Sequence, residues 1–162
     1  MIFVTVGSQK FQFNRLLKEI DKLVEEKRIT EEVFAQTGYS DYEPENYKYK
    51  NFLDRDEFSD VMSRCDKVIT HGGTGAIIGA VKQGKKVIAV PRLKDFGEHV
   101  DDHQLQIIGE FEKMNFIKSV NEIEQLDSVI SNIINCEFNQ YESNTQFIIE
   151  SIENFVNIQN FN

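Results

Sequence analysis

The stretch Ile69-Thr70-His71-Gly72-Gly73-Thr74-Gly75 joins an apolar run to an amphipathic one. Lys67 to Thr70 has the make-up of a buried strand and ends at His71. Thr74 to Gln83 carries Ile77, Ile78 and Val81 at helical spacing. Three glycines within four positions separate the two, so main-chain N–H groups there stay open to close approach. Strand, glycine turn and helix in that order make one unit of a parallel sheet covered by helices.

Similar units lie on either side. Before the turn come a strand at Ile2 to Val6, a helix bearing Leu16, Leu17, Ile20, Leu23 and Val24, and strands at Glu32 to Thr37 and Lys48 to Leu53. Asp54 or Asp56 is placed to cap a helix carrying Phe58, Val61 and Met62. After the turn, Gly84 ends the helix, and Lys86 to Val90 is a strand stopped by Pro91. A helix over Val100 to Met114, a short strand at Phe116 to Lys118, and a helix opened by a capping-box pattern at Asn121 to Glu124 follow. The final segment puts Ile148, Ile152, Phe155 and Val156 on one stripe, which predicts an amphipathic helix within residues 140–158. The expected fold is a single α/β, Rossmann-like domain over residues 1–162, with a mostly parallel sheet and helices on both faces.

Composition narrows the partners. A net charge of -9 disfavours nucleic acid and direct contact with anionic lipid. The two cysteines, Cys65 and Cys136, form no CxxC pair, which suits a reducing compartment and predicts two buried, inert thiols. The opening residues lack a leader pattern, and no apolar run approaches the roughly 20 residues of a spanning helix. Cytoplasmic location is the expectation.

Unusual residues gather at the carboxyl ends of the expected strands, where ligands of open parallel sheets bind. Gly7-Ser8-Gln9 follows the first strand, Gly38 the second, the His71 to Gly75 turn the fourth and Pro91-Arg92 the fifth. The glycine turn suits a diphosphate at a helix start, although a tight turn alone would also use these glycines. Gly84-Lys85-Lys86 lacks P-loop spacing, and Gly7-Ser8-Gln9-Lys10 lacks the later glycines of a dinucleotide fingerprint. The segment Glu98-His99-Val100-Asp101-Asp102-His103-Gln104 packs two histidines, three acids and an amide into seven positions. Three readings of it stay open. On a helix, His99 and His103 stand one turn apart and suit a metal, with Asp102 or Glu98 as a further ligand; Asp102, His103 and Gln104 equally suit sugar hydroxyls; or the segment is a solvated helix start.

At Phe3-Val4-Thr5-Val6-Gly7-Ser8, at Ile69 to Gly75, and at Val90-Pro91-Arg92 with Glu98 to Gln104, the chain resembles the C-terminal, donor-binding domain of GT-B glycosyltransferases, glycosyltransferase family 28. The resemblance runs from about Val4 to Ile130. It looks closer still to stand-alone donor-side subunits: the soluble subunit of the dolichol-linked UDP-GlcNAc transferase, and bacterial capsule and exopolysaccharide subunits that pair with a membrane-associated partner. A chain that starts directly at the first strand is similar to those split enzymes.

The resemblance implies an inverting transfer of a hexose from a UDP-sugar (UDP-galactose, UDP-glucuronate or UDP-GlcNAc) to a lipid-diphosphate-linked sugar, with neither metal nor cofactor. It implies diphosphate contacts at Gly7, Ser8, Gly72, Gly73, Thr74 and Gly75, uracil at the backbone of Phe52 and Leu53, and donor sugar at Asp102, His103 and Gln104. The general base is expected on an acceptor-binding, membrane-associated subunit that recruits this chain to the inner membrane face, with the C-terminal helix as a docking element. His71 is the local candidate for a direct role, against that of a structural histidine. Gly79 stands where many relatives carry a ribose-binding glutamate. The alternative is a non-catalytic nucleotide-sugar-binding regulatory subunit.

Overall fold

Strand β1, Ile2–Thr5, lies inside a six-stranded sheet whose order is β3-β2-β1-β4-β5-β6. The computed structural model describes residues 1–142. Its other strands are β2, Val33–Gln36; β3, Lys48–Lys50; β4, Lys67–His71; β5, Lys86–Val90; and β6, Lys118–Ser119. Every neighbouring pair is parallel. Because β1 pairs with β2 on one side and β4 on the other, successive connections leave it in opposite directions. The carboxyl ends of β1 and β4 therefore flank the topological switch point, where crossover loops part and leave a crevice.

Period-two alternation splits the side chains between two cores. Ile2, Val4, Ala35, Ile69, Ile88 and Val90 face helix α1 (Asn14–Glu25) and helix α5 (Leu126–Asn132), where Leu16, Leu17, Ile20 and Ile130 meet them. Phe3, Val68, Val87 and Ala89 face helices α2 (Arg55–Arg64), α3 (Thr74–Val81) and α4 (His103–Lys113) through Val61, Met62, Ile77, Ala80 and Ile108. Burying each such Leu, Ile or Val contributes roughly 1.5–3 kcal/mol, so both faces of β1 are held and its end is a rigid platform.

Local chemistry sets the helix ends near that platform. Asp54 caps α2, its Oδ1 accepting from the N–H groups of Asp56 and Glu57 at 2.9 Å each, while the Glu57 carboxylate takes the Asp54 N–H at 3.2 Å. Strand β3 stops at Lys50 instead of reaching Leu53, because the chain turns into this cap. Other boundaries differ from expectation as well. Helix α4 begins at His103, not Val100. The last strand is Lys118–Ser119, two residues late. The capping box at Asn121 does not form, since a 3-10 turn over Ile123–Gln125 leads into α5 with no side-chain cap. Cys65 is buried as expected, whereas Cys136 is only partly so, at the end of the turn that follows α5. Residues 143–158 of the expected C-terminal amphipathic helix lie outside the described residues. Among the described residues no helix is long and apolar enough to cross a membrane.

Candidate functional site

At the switch point an open cleft of about 560 Å³ is floored by Thr5 and Gln36 and walled by Gly7-Ser8-Gln9, by Leu53 to Arg55 with Phe58, and by His71, Gly73, Gly75 and Ala76. A second hollow, about 420 Å³, lies beside Lys86, Cys136 and Phe138 at the amino end of β5, away from the switch point. Of the residues expected to bind a ligand, Gly7, Ser8, Leu53, His71, Gly73 and Gly75 line the cleft together. Thr74 is exposed beside it on α3. Phe52 turns its ring onto Tyr39, centroids 5.1 Å apart, and both rings are about half exposed.

Two helices open beside this cleft, and they differ in one respect. The amino end of α2 is closed by its own capping box. That of α3 has Gly73 as its N-cap and no side chain bonded to it. The first-turn N–H groups of a helix have no partner within the helix, so α3 offers open donors where α2 does not. An anionic group is accordingly favoured at Gly73 to Ala76, next to the left-handed turn at Gly7, whose φ is +75°.

The glycines also shape the protein around His71. A Cβ on Gly7 would stand 2.7 Å from the imidazole Cε1, and one on Gly73 would stand 2.3 Å from Nε2. The ring therefore fills a slot that exists because two side chains are missing. His71 is 8% exposed, and Thr70 Oγ1 lies 3.3 Å from its Nδ1. Burial, and then the charge of Arg92, push its pKa down to about 4, so the imidazole is neutral near pH 7.

A stability test follows. With the folded pKa below the unfolded value of about 6.5, the unfolded chain binds the extra proton as pH falls between those values. This group's contribution is fully present above about pH 6.5 and is lost progressively toward pH 4, by about 3 kcal/mol in total. Urea midpoints measured from pH 7 down to 4.5 should show this slope, and His71→Gln should flatten it; an unchanged slope in the variant would rule out His71 as its source.

Gly72 plays a different part. Its N–H donates to Gln104 Oε1 at 2.9 Å, and the same oxygen accepts the Arg92 N–H at 3.0 Å. Gln104, 5% exposed, thus ties the β4 and β5 turns together, and both its carbonyl and the Gly72 amide are already engaged. Asp102, His103 and Gln104 do not line the cleft. Asp102 Oδ1 accepts the Lys94 N–H at 2.9 Å, and His103 is exposed in the first turn of α4. His99 sits before that helix, 3.2 Å from Asp101 Oδ1 and tilted against the Phe11 ring at 5.0 Å, so the one-turn His99–His103 arrangement considered for a metal is not formed. No group of three or more His, Cys, Asp or Glu side chains converges among the described residues.

Beneath the Gly7 turn lies Arg92, fully buried, its Nη2 donating to Val6 O at 2.7 Å and its guanidinium 5.4 Å from the Phe13 ring. Its Nε and Nη1 have no partner among the described residues. Burial lowers its pKa to about 10, and the charge of Glu98 opposes that shift. Glu98 is itself fully buried and accepts two bonds from Arg15, each 3.0 Å. Two guanidinium groups against one carboxylate leave a positive excess beneath the anion-favouring turn. Thr5, Gln36 and Phe58 also line the cleft, although a polar strand end or an apolar helix residue gives no distinct signal in the sequence.

The glycosyltransferase family 28 C-terminal domain model matches residues 1–158. No curated protein matches the chain. Among solved structures, the glycotransferase of kitacinnamycin aligns with a TM-score of 0.62 at 15% identity, over 83% of this chain and 35% of that one. MurG of Acinetobacter baumannii aligns at 0.57 and 18%, over 82% and 41%. The glycosyltransferase SnogD from Streptomyces nogalater aligns at 0.51 and 18%, over 74% and 30%. At such identities the likeness concerns the fold. The chain spans less than half the length of each of these structures.

Proposed function

This chain belongs to the glycosyltransferase family 28 C-terminal domains, and from that premise we propose that its cleft takes the diphosphate of a UDP-sugar. The observation that carries the reading is the uncapped amino end of α3 beside the Gly7-Ser8 turn, set against the closed end of α2. The amides of Gly73 to Ala76, with Ser8, receive the phosphates. Arg92 adds a fixed charge from below without touching them.

In this reading an acceptor hydroxyl attacks the anomeric carbon, the bond from that carbon to the UDP oxygen breaks with inversion, and the acceptor's proton passes to a base. Negative charge grows on the departing diphosphate, where pre-oriented amides are worth most because they need not reorganise. Neutral His71 supplies a hydrogen bond at most, so charge compensation falls to the helix and to Arg92. The base and the lipid-diphosphate-linked acceptor belong to a membrane-associated partner subunit that brings this chain to the inner membrane face. Asp102 and His103 reach the donor sugar after the partner closes on the cleft. UDP-galactose, UDP-glucuronate and UDP-GlcNAc are the donors to compare.

The test is transfer of labelled sugar to a lipid-diphosphate-linked acceptor, by this chain alone and with the membrane-associated subunit. Turnover should require both; full turnover by the isolated chain would overturn the split arrangement. Gly79 favours a second reading, a regulatory subunit that binds the nucleotide sugar without turnover, because a Cβ there would meet nothing within 4 Å and the helix presents no ribose-binding side chain at that place. UDP binding with no turnover beside every candidate partner would favour it.

A further inference from the structure

The floor of the cleft holds an unpaired amide. Gln36 ends β2, is 7% exposed, and lines the cleft, yet its Oε1 is buried with no hydrogen-bond partner among the described residues. Buried side-chain amides are nearly always satisfied, and an unpaired one is costly to bury. A group that arrives with a ligand would remove that cost.

Position narrows what the group is. In the sheet, β2 lies between β3 and β1. Gln36 is paired in register with Thr5, two residues before the Gly7 turn, on the anion-favouring side. On its other side the β3–α2 connection and α2 bring Leu53 and Phe58 to the wall, an apolar surface for a flat ring. Between an anionic end and an apolar end, a nucleoside diphosphate places its ribose. An amide offers one acceptor and two N–H donors, and a vicinal diol offers hydroxyls that both give and accept.

We infer that Gln36 is a specificity-determining residue that hydrogen-bonds the ribose hydroxyls of the donor nucleotide. The inference rests on the nucleotide-diphosphate reading of the cleft. Calorimetry with pyrophosphate, UDP, 2′-deoxy-UDP and 3′-deoxy-UDP separates the two. The wild-type chain should bind UDP about fivefold more tightly than at least one deoxy analogue, the worth of roughly one hydrogen bond. Gln36→Met should bring UDP down to that analogue's affinity and leave the analogue unchanged. Gln36→Glu, which keeps an acceptor of equal length, should retain the preference and serves if Gln36→Met folds poorly.

Equal affinities for UDP and both analogues in the wild type would overturn the role of Gln36. So would a preference that survives Gln36→Met, or one that Gln36→Glu abolishes. Failure of the wild type to bind pyrophosphate or UDP would instead strike the diphosphate reading itself, and the inference with it.

Discussion

Gly73→Ala should cost about 1–3 kcal/mol of stability, the usual toll of overpacking a filled site, and should abolish measurable UDP binding. The added Cβ would lie 2.3 Å from His71 Nε2. The same Nε2–Cε1 edge of the imidazole also abuts Gly7, where an added Cβ would stand 2.7 Å from Cε1, so the ring is bounded by both glycine turns. Either the ring leaves its slot and enters the cleft, or the start of α3 shifts and its open amides move. Both outcomes spoil the anion site.

The double variant His71→Ala/Gly73→Ala distinguishes this clash from a general intolerance of alanine at a helix start. Removing the ring should return most of the loss caused by alanine at position 73, giving a coupling energy of the order expected for residues in contact, about 0.5–3 kcal/mol. Urea denaturation of the four chains of the cycle measures it. Purely additive losses would show that His71 is not what the glycine accommodates. Gly7→Ala should be costly for a second reason, since its φ of +75° adds backbone strain of roughly 1–2 kcal/mol to a 2.7 Å contact with the same ring.

These glycines also mark what a single sequence can and cannot disclose. Alternating strands and helices, and the placement of the glycine turn between Thr70 and Thr74, were legible because periodicity and turn chemistry are local. So was the gathering of Gly7, His71 and Gly73 at one end of the sheet, since parallel topology puts all strand ends on one edge. The reason for the glycines was only half visible. Gly73 and Gly7 suit an anion, but they also make room for the His71 imidazole, whose contact with the Gly7 turn of the neighbouring strand is not revealed by spacing along the chain.

The acidic and histidine-rich segment is the sharper case. Glu98 to Gln104 has the density of a ligand-binding stretch, yet in the isolated chain much of it serves the β5–α4 connection. Gly97 closes a 3-10 turn in the left-handed region, φ 66°, so no helix runs through Glu98 to Asp102. Asp102 folds back onto the Lys94 amide, and Glu98 pairs with an arginine 83 positions earlier. Gln36 was missed for the complementary reason: one amide at a strand end is unremarkable until its neighbours prove to offer it no bond.

Glu98→Ala should be among the most damaging substitutions in the chain, costing about 3–5 kcal/mol, as expected when one partner of a buried ion pair is removed. The carboxylate is fully buried and accepts three hydrogen bonds, two from Arg15 at 3.0 Å each and one from the Leu93 N–H at 2.9 Å. Without it, Arg15 keeps its bond to Pro91 O at 2.9 Å and its place 4.9 Å from the Phe96 ring, but loses its counter-charge. Arg92 then remains in the interior with no acid beside it. Arg15→Met/Glu98→Met should recover part of the loss, because that pair leaves together and apolar stems fill the space. Recovery should stay incomplete until Arg92→Met is added, since Glu98 also opposes the desolvation of Arg92. A Glu98→Ala loss below about 1 kcal/mol, or full recovery in the double variant, would show that the carboxylate does not serve two arginines. The same variants should weaken UDP binding more than their stability loss explains, because the Arg92 N–H and the Gly72 N–H share Gln104 Oε1, so displacement of the β5 turn reaches the glycine turn through a single side chain.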